Sequence, residues 1–138
     1  MKKYLNISLA YAIAAMAGGV FYREFTKWNG FAGVTALGKV HAHLFLLGMM
    51  VFLLVALFAE RRELAAQKSF RVFLWLYNLG VPLTAVMLAV RGVVQVRGIA
   101  LSAGADAAIS GLAGIGHILA GAGLILLLLS LKKAEKTA

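Results

Sequence analysis

Four stretches of the chain, roughly 4–22, 39–59, 70–90 and 109–131, are each apolar for about 20 residues, the length a helix needs to cross a hydrocarbon core of about 30 Å. In lipid a backbone must satisfy its own polar groups, so only helices and closed barrels can span. Runs of this length are far too long for membrane strands of about 10 residues. The expected fold is all-α: an integral membrane four-helix bundle formed by one domain over 1–138. With 62% hydrophobic and 14% charged residues, the chain leaves no polar stretch able to make a separate soluble domain. Lys2-Lys3 ahead of the first apolar run resembles the start of a signal peptide, but 4–22 is long for such a region, and no clean cleavage signal precedes a soluble sequence. That segment is expected to be a retained helix.

Four spans put both termini on one side. That side holds Lys2, Lys3, Arg61, Arg62, Lys68, Arg71, Lys132, Lys133 and Lys136; the other holds Arg23, Lys27, Lys39, Arg91 and Arg97. The excess predicts cytoplasmic termini by the positive-inside rule, and a multi-pass protein of a bacterial cytoplasmic (inner) membrane. Although the formal charge is +9, the basic residues flank apolar runs and form no stripe with interleaved aromatics, so lipid is expected as the partner and nucleic acid is not. The chain has no cysteine, which removes disulfides, thiolate metal sites and covalent heme attachment.

The link 60–69 is short, so the second and third helices are expected to be antiparallel neighbours. The link 23–38 carries Phe25, Trp28 and Phe31, suited to the headgroup level. The link 91–108, rich in Gly, Ala and Ser, is expected to form a short interfacial element. Pro82 frees the carbonyl of Asn78, which predicts a kink near Gly80, with Asn78 and Thr84 bonding to exposed backbone.

The three histidines, His41, His43 and His117, all fall within predicted spans, where ionisable residues are costly and mark candidate sites. The second and fourth helices run in the same direction, and at about 1.5 Å per residue the axial offset between their histidines is roughly 4 to 7 Å. Imidazole is a common neutral ligand for Fe, Cu and Zn. One histidine from each of two facing helices can hold a b-type heme. Gly114 and Gly121 share the face of His117, and Gly48 shares that of His41, so a porphyrin would find room there. On a regular helix His41 and His43 point about 200° apart, so at most one of them can join His117 on a single iron.

The segment Val40-His41-Ala42-His43-Leu44-Phe45-Leu46-Leu47-Gly48 resembles the second-helix motif, H-x-H-x-x-x-x-G, of small bacterial membrane proteins related to cytochrome oxidase subunit I. Together with Gly19-Val20-Phe21-Tyr22-Arg23-Glu24-Phe25 and the late Gly116-His117, the whole chain resembles an uncharacterised four-helix family of that group. Similarity to the oxidases and nitric oxide reductases themselves is confined to the second helix, where a histidine near the outer end binds low-spin heme. Gapless matching with that motif puts His41 on the ligand, whereas depth matching with His117 prefers His43. The extra histidines that build an oxygen-reducing copper site have no counterpart here, so oxygen reduction and proton pumping are not implied. Subunit I has three pseudo-symmetric groups of four helices, which suggests a homo-oligomer, specifically a trimer, for a four-helix relative.

Arg23, Arg91 and Arg97 lie near the expected depth of the histidines and are candidates to hold heme propionates, with snorkelling to lipid phosphate as the alternative. Tyr11, Tyr22 and Tyr77 are expected to pack. The leading expectation is therefore a heme b protein serving electron transfer, heme handling or gas and redox sensing, with axial ligands His117 and one of His41 or His43. The alternatives are a Cu- or Zn-binding or transport protein using the same histidines, and an accessory subunit whose histidines bond between helices. No enzyme motif is present.

Overall fold

The structure, a computed structural model, describes residues 1–59 and 64–135. Arg61, Arg62 and Lys136 of the charge count lie outside the described residues. The chain forms α1 (Lys2–Trp28), α2 (Leu37–Ala59), a 3-10 turn at Leu64–Ala66, α3 (Lys68–Arg97) and α4 (Ala103–Glu135), and the described residues contain no strand. Each helix is long and apolar enough to cross a membrane. The outward surface suits lipid: Leu9, Ile13, Trp75, Leu79, Ile118 and Ile125 are all exposed.

The helices overrun the apolar segments. Arg23 and Lys27 lie on the last turns of α1, and Arg91 and Arg97 on those of α3. The expected link 91–108 is thus largely helical and the link 23–38 about half so, because long basic side chains can reach water from a helix that has passed the hydrocarbon edge. The stops are local: Asn29 Nδ2 donates to the Phe25 carbonyl at 2.8 Å ahead of Gly30 (φ 59°), and α3 ends at Gly98 (φ 62°). Both glycines occupy the left-handed region that side chains avoid. The loop after α1 is clasped to α3, where Thr35 Oγ1 donates to the Gly92 carbonyl at 3.1 Å and the Ala36 amide donates to Gln95 Oε1 at 2.7 Å.

Backbone contact runs α1 to α2, α2 to α3 and, most extensively, α3 to α4. The α3–α4 seam is built from absent side chains. A Cβ on Gly80 would fall 2.5 Å from the Ala120 nitrogen, and one on Gly123 3.1 Å from the Tyr77 ring. Such close approach is how membrane helices gain van der Waals contact when lipid is as apolar as their own side chains. Near the end carrying the termini, Phe52, Phe70, Phe73 and Tyr77 are fully buried, with ring centres 5.2–6.1 Å apart. This aromatic layer fills one half of the bundle. The opposite half is left thin, between small residues.

α3 continues through Pro82. Asn78 Nδ2 donates to the Leu74 carbonyl at 2.8 Å, so it does bond backbone, one turn before the carbonyl that the proline frees. Thr84, expected to do the same, instead buries its hydroxyl against Gly116 with no hydrogen-bond partner among the described residues.

Candidate functional site

α2 is not one uniform α-helix. Directly after His43, the seven residues Leu44–Met50 form a π-helix, and regular α-geometry resumes at Val51. π segments are rare and often accompany functional sites. This one is held from α1: Ser8 Oγ donates to the Met49 carbonyl at 2.8 Å, and the Tyr11 ring lies directly on Gly48. Gly48 was expected to leave space for a porphyrin on the face of His41. That space is filled, because the wider π turn brings Gly48 under Tyr11.

The two histidines of α2 part company, as their spacing requires. His41 turns to α1, where a Cβ on Gly19 would lie 3.7 Å from its Cβ and Cγ, and its Nδ1 is buried without a partner among the described residues. His43 turns to α4. Its ring centre lies 6.0 Å from that of His117, with the ring planes at 89°.

Both rings of this pair are oriented the same way by their own helices. The Nδ1–H of His43 donates to the Lys39 carbonyl at 2.9 Å, and the Nδ1–H of His117 donates to the Ala113 carbonyl at 2.7 Å. A carbonyl oxygen only accepts, so each Nδ1 carries a proton, and in the neutral ring this tautomer leaves the lone pair on Nε2. A backbone carbonyl behind Nδ1 is the usual support of a metal-ligating histidine, fixing the tautomer and raising basicity. Sequence reasoning missed these supports. A histidine whose fourth preceding carbonyl is within reach on an uninterrupted helix was the available signal.

At a ring-centre separation of 6.0 Å, His43 and His117 could both reach one metal ion held between them. Among the described residues, no group of three or more His, Cys, Asp or Glu is placed to hold a metal ion. A protein zinc site takes three or four ligands, and the pair brings two.

The face of α4 that carries His117 is exposed and uncrowded. Gly114 and Gly121, above and below His117 on α4, have nothing within 4 Å of where a Cβ would stand. The backbones of α2 and α4 make no extensive contact. Further along the same seam, a cavity of about 320 Å³ is lined by Val51, Leu54, Phe58, Leu124, Leu128 and Leu131.

The arginines fare differently. Arg91 ion-pairs with Asp106 Oδ1, and its Nη2 donates to Ser110 Oγ at 2.7 Å and to the Asp106 carbonyl at 3.2 Å, tying α3 to the first turns of α4. Arg23 lies 3.9 Å from Glu24 with its side chain 82% exposed, and Arg97 is exposed in the last turn of α3. Tyr11 and Tyr77 are packed in the core, and Tyr22 rests against Gly38.

A family model described as "Protein of unknown function (DUF2871)" matches residues 1–134. No curated protein and no solved structure matches the chain.

Proposed function

The chain belongs to the family described as protein of unknown function DUF2871, and for this member we propose a heme b-binding membrane protein with His43 and His117 as the two axial ligands. The observation that carries the reading is the pair itself: ring centres 6.0 Å apart and both Nδ1 atoms tethered to backbone carbonyls. The residues would present two Nε2 atoms to one iron from helices that are otherwise separated, with His117 on an exposed face of α4. Held by both histidines, heme would supply one-electron chemistry and would favour electron transfer over gas sensing. The resemblance of the second helix to that of cytochrome oxidase subunit I supports the same cofactor.

The accessory-subunit reading needs histidines bonded between helices. Both ring hydrogen bonds found among the described residues run within one helix and so lend that reading no support. The basic residues crowded toward the termini support cytoplasmic termini in a bacterial inner membrane. The analogy with the three four-helix groups of oxidase subunit I supports self-association, with the trimer as the arrangement to test by cross-linking.

The deciding experiment is an absorption spectrum of protein purified in mild detergent from heme-supplied cells. A Soret band is expected, with sharpened visible bands on reduction, and His117→Ala is expected to lose it. A colourless protein would overturn the reading, and one carrying stoichiometric Cu or Zn would move the same histidines to metal binding.

A further inference from the structure

The side of the bundle away from the histidine pair carries a second feature. α1 and α3 are held apart along most of their length, and the gap is a groove. Toward the termini it is a cavity of about 410 Å³ lined by Lys3, Ile7, Arg71, Leu74, Trp75 and Asn78. Ile7 and Asn78 also line a second cavity of about 540 Å³, which continues between Ala10, Ala14, Ala85 and Ala89. From Arg71 to Val86 the groove follows α3 for about 22 Å, more than the roughly 15 Å of one leaflet's share of the hydrocarbon core.

Its chemistry is graded. At the mouth stand two exposed cations, Lys3 and Arg71, with no ion-pair partner among the described residues. Beside them Trp75 is 82% exposed, an indole suited to the headgroup boundary. Beyond them the walls are mostly apolar, crossed at one level where the Tyr11 hydroxyl lies 3.5 Å from Asn78 Oδ1, and lined further on by Ala10, Ala14, Ala85 and Ala89. A pair of unpaired cations at one end of an apolar channel complements an anion carrying a hydrocarbon tail.

We propose that the α1–α3 groove is a binding site for an anionic phospholipid, with its phosphate at Lys3 and Arg71 and an acyl chain along Ala10, Ala14 and Ala85. The bilayer at large gathers near any cation. This groove differs in coupling two charges to a tail-sized channel, so binding there depends on both. The inference stands apart from the heme reading, since the groove and the histidine pair lie on opposite sides of the α2–α3 contact.

The test is native mass spectrometry of the detergent-purified protein titrated with phosphatidylglycerol and, in parallel, phosphatidylcholine. Wild type is expected to retain phosphatidylglycerol at least five-fold more tightly than phosphatidylcholine. Lys3→Gln/Arg71→Gln is expected to abolish that preference. Lys2→Gln/Lys68→Gln, which removes two cations near the same end but outside the groove, is expected to keep it. Ala14→Phe, a change at an exposed groove position, is expected to weaken both lipids by blocking the channel. Equal retention of the two lipids by wild type, equal loss in both charge-pair variants, or no effect of Ala14→Phe would each overturn the proposal.

Discussion

Two faces of α4 use glycine in opposite ways. On the face toward α3, Gly116 and Gly123 are filled by their neighbours, and any added carbon would meet Thr84 or Tyr77. On the face carrying His117, Gly114 and Gly121 meet nothing. The residue type and even the seven-residue spacing are the same. One pair removes bulk so that helices can touch; the other lies on an exposed face where no atom stands within 4 Å. The contrast teaches that glycine in a membrane helix marks proximity only when a partner is present, and that an unfilled glycine face beside a histidine is where room has been left for something else.

That contrast can be broken most forcefully at the packed seam. Gly80→Leu would drive a side chain into the Ala120 backbone, and overpacking of this kind costs about 1–3 kcal/mol or more. A large fall in thermal midpoint in detergent is expected, and an unchanged midpoint would mean the seam is not as tight as described. Next comes the division between the two histidines of α2. His43→Ala is expected to remove most of the Soret absorbance and His41→Ala to keep it, with both proteins still folded by circular dichroism. The reverse outcome would move the site to α1. On the open face, Gly114→Leu is expected to leave the thermal midpoint of the heme-free protein within about 0.5 kcal/mol of wild type, as for ordinary surface changes. The same variant should lower heme occupancy several-fold in the pyridine hemochrome assay. The smallest effect is expected at the rim, where Asp106→Asn removes the charge partner of Arg91. The pair is partly exposed, so a loss of about 0.2–1 kcal/mol is expected from chemical unfolding, shrinking further in high salt.

The four helices were legible because a hydrophobic run of about 20 residues admits few other structures in lipid. Their ends were not, because hydropathy reports the hydrocarbon edge, whereas a helix stops where its backbone stops. Gly98 held that information, yet a lone glycine in a Gly- and Ala-rich stretch is easily read as loop. The divergence of His41 and His43 followed from helical period alone. That His43 is the one facing His117 depended on how α2 is turned against α1 and α3, which one-dimensional periodicity cannot give. Gly48 misled for a related reason: its neighbour Tyr11 lies 37 positions earlier in the sequence, and the π turn that brings them together leaves no mark in the hydrophobic pattern.

The π segment of α2 sets an angular phase between two halves of one rod. Below it, Phe52 and Val55 are locked into the aromatic core; above it, His43 faces α4. A π turn holds more residues than an α turn, so over seven residues its winding falls behind by roughly one residue's worth of rotation. Deleting a single residue there, such as the exposed Leu46, would offset that lag and let α2 relax into an unbroken α-helix that keeps both its core anchor and the facing of His43. Winding all seven residues as α-helix with none removed would instead swing His43 by about 100° away from His117. The π segment thus lets the helix carry one supernumerary residue without turning the histidine pair.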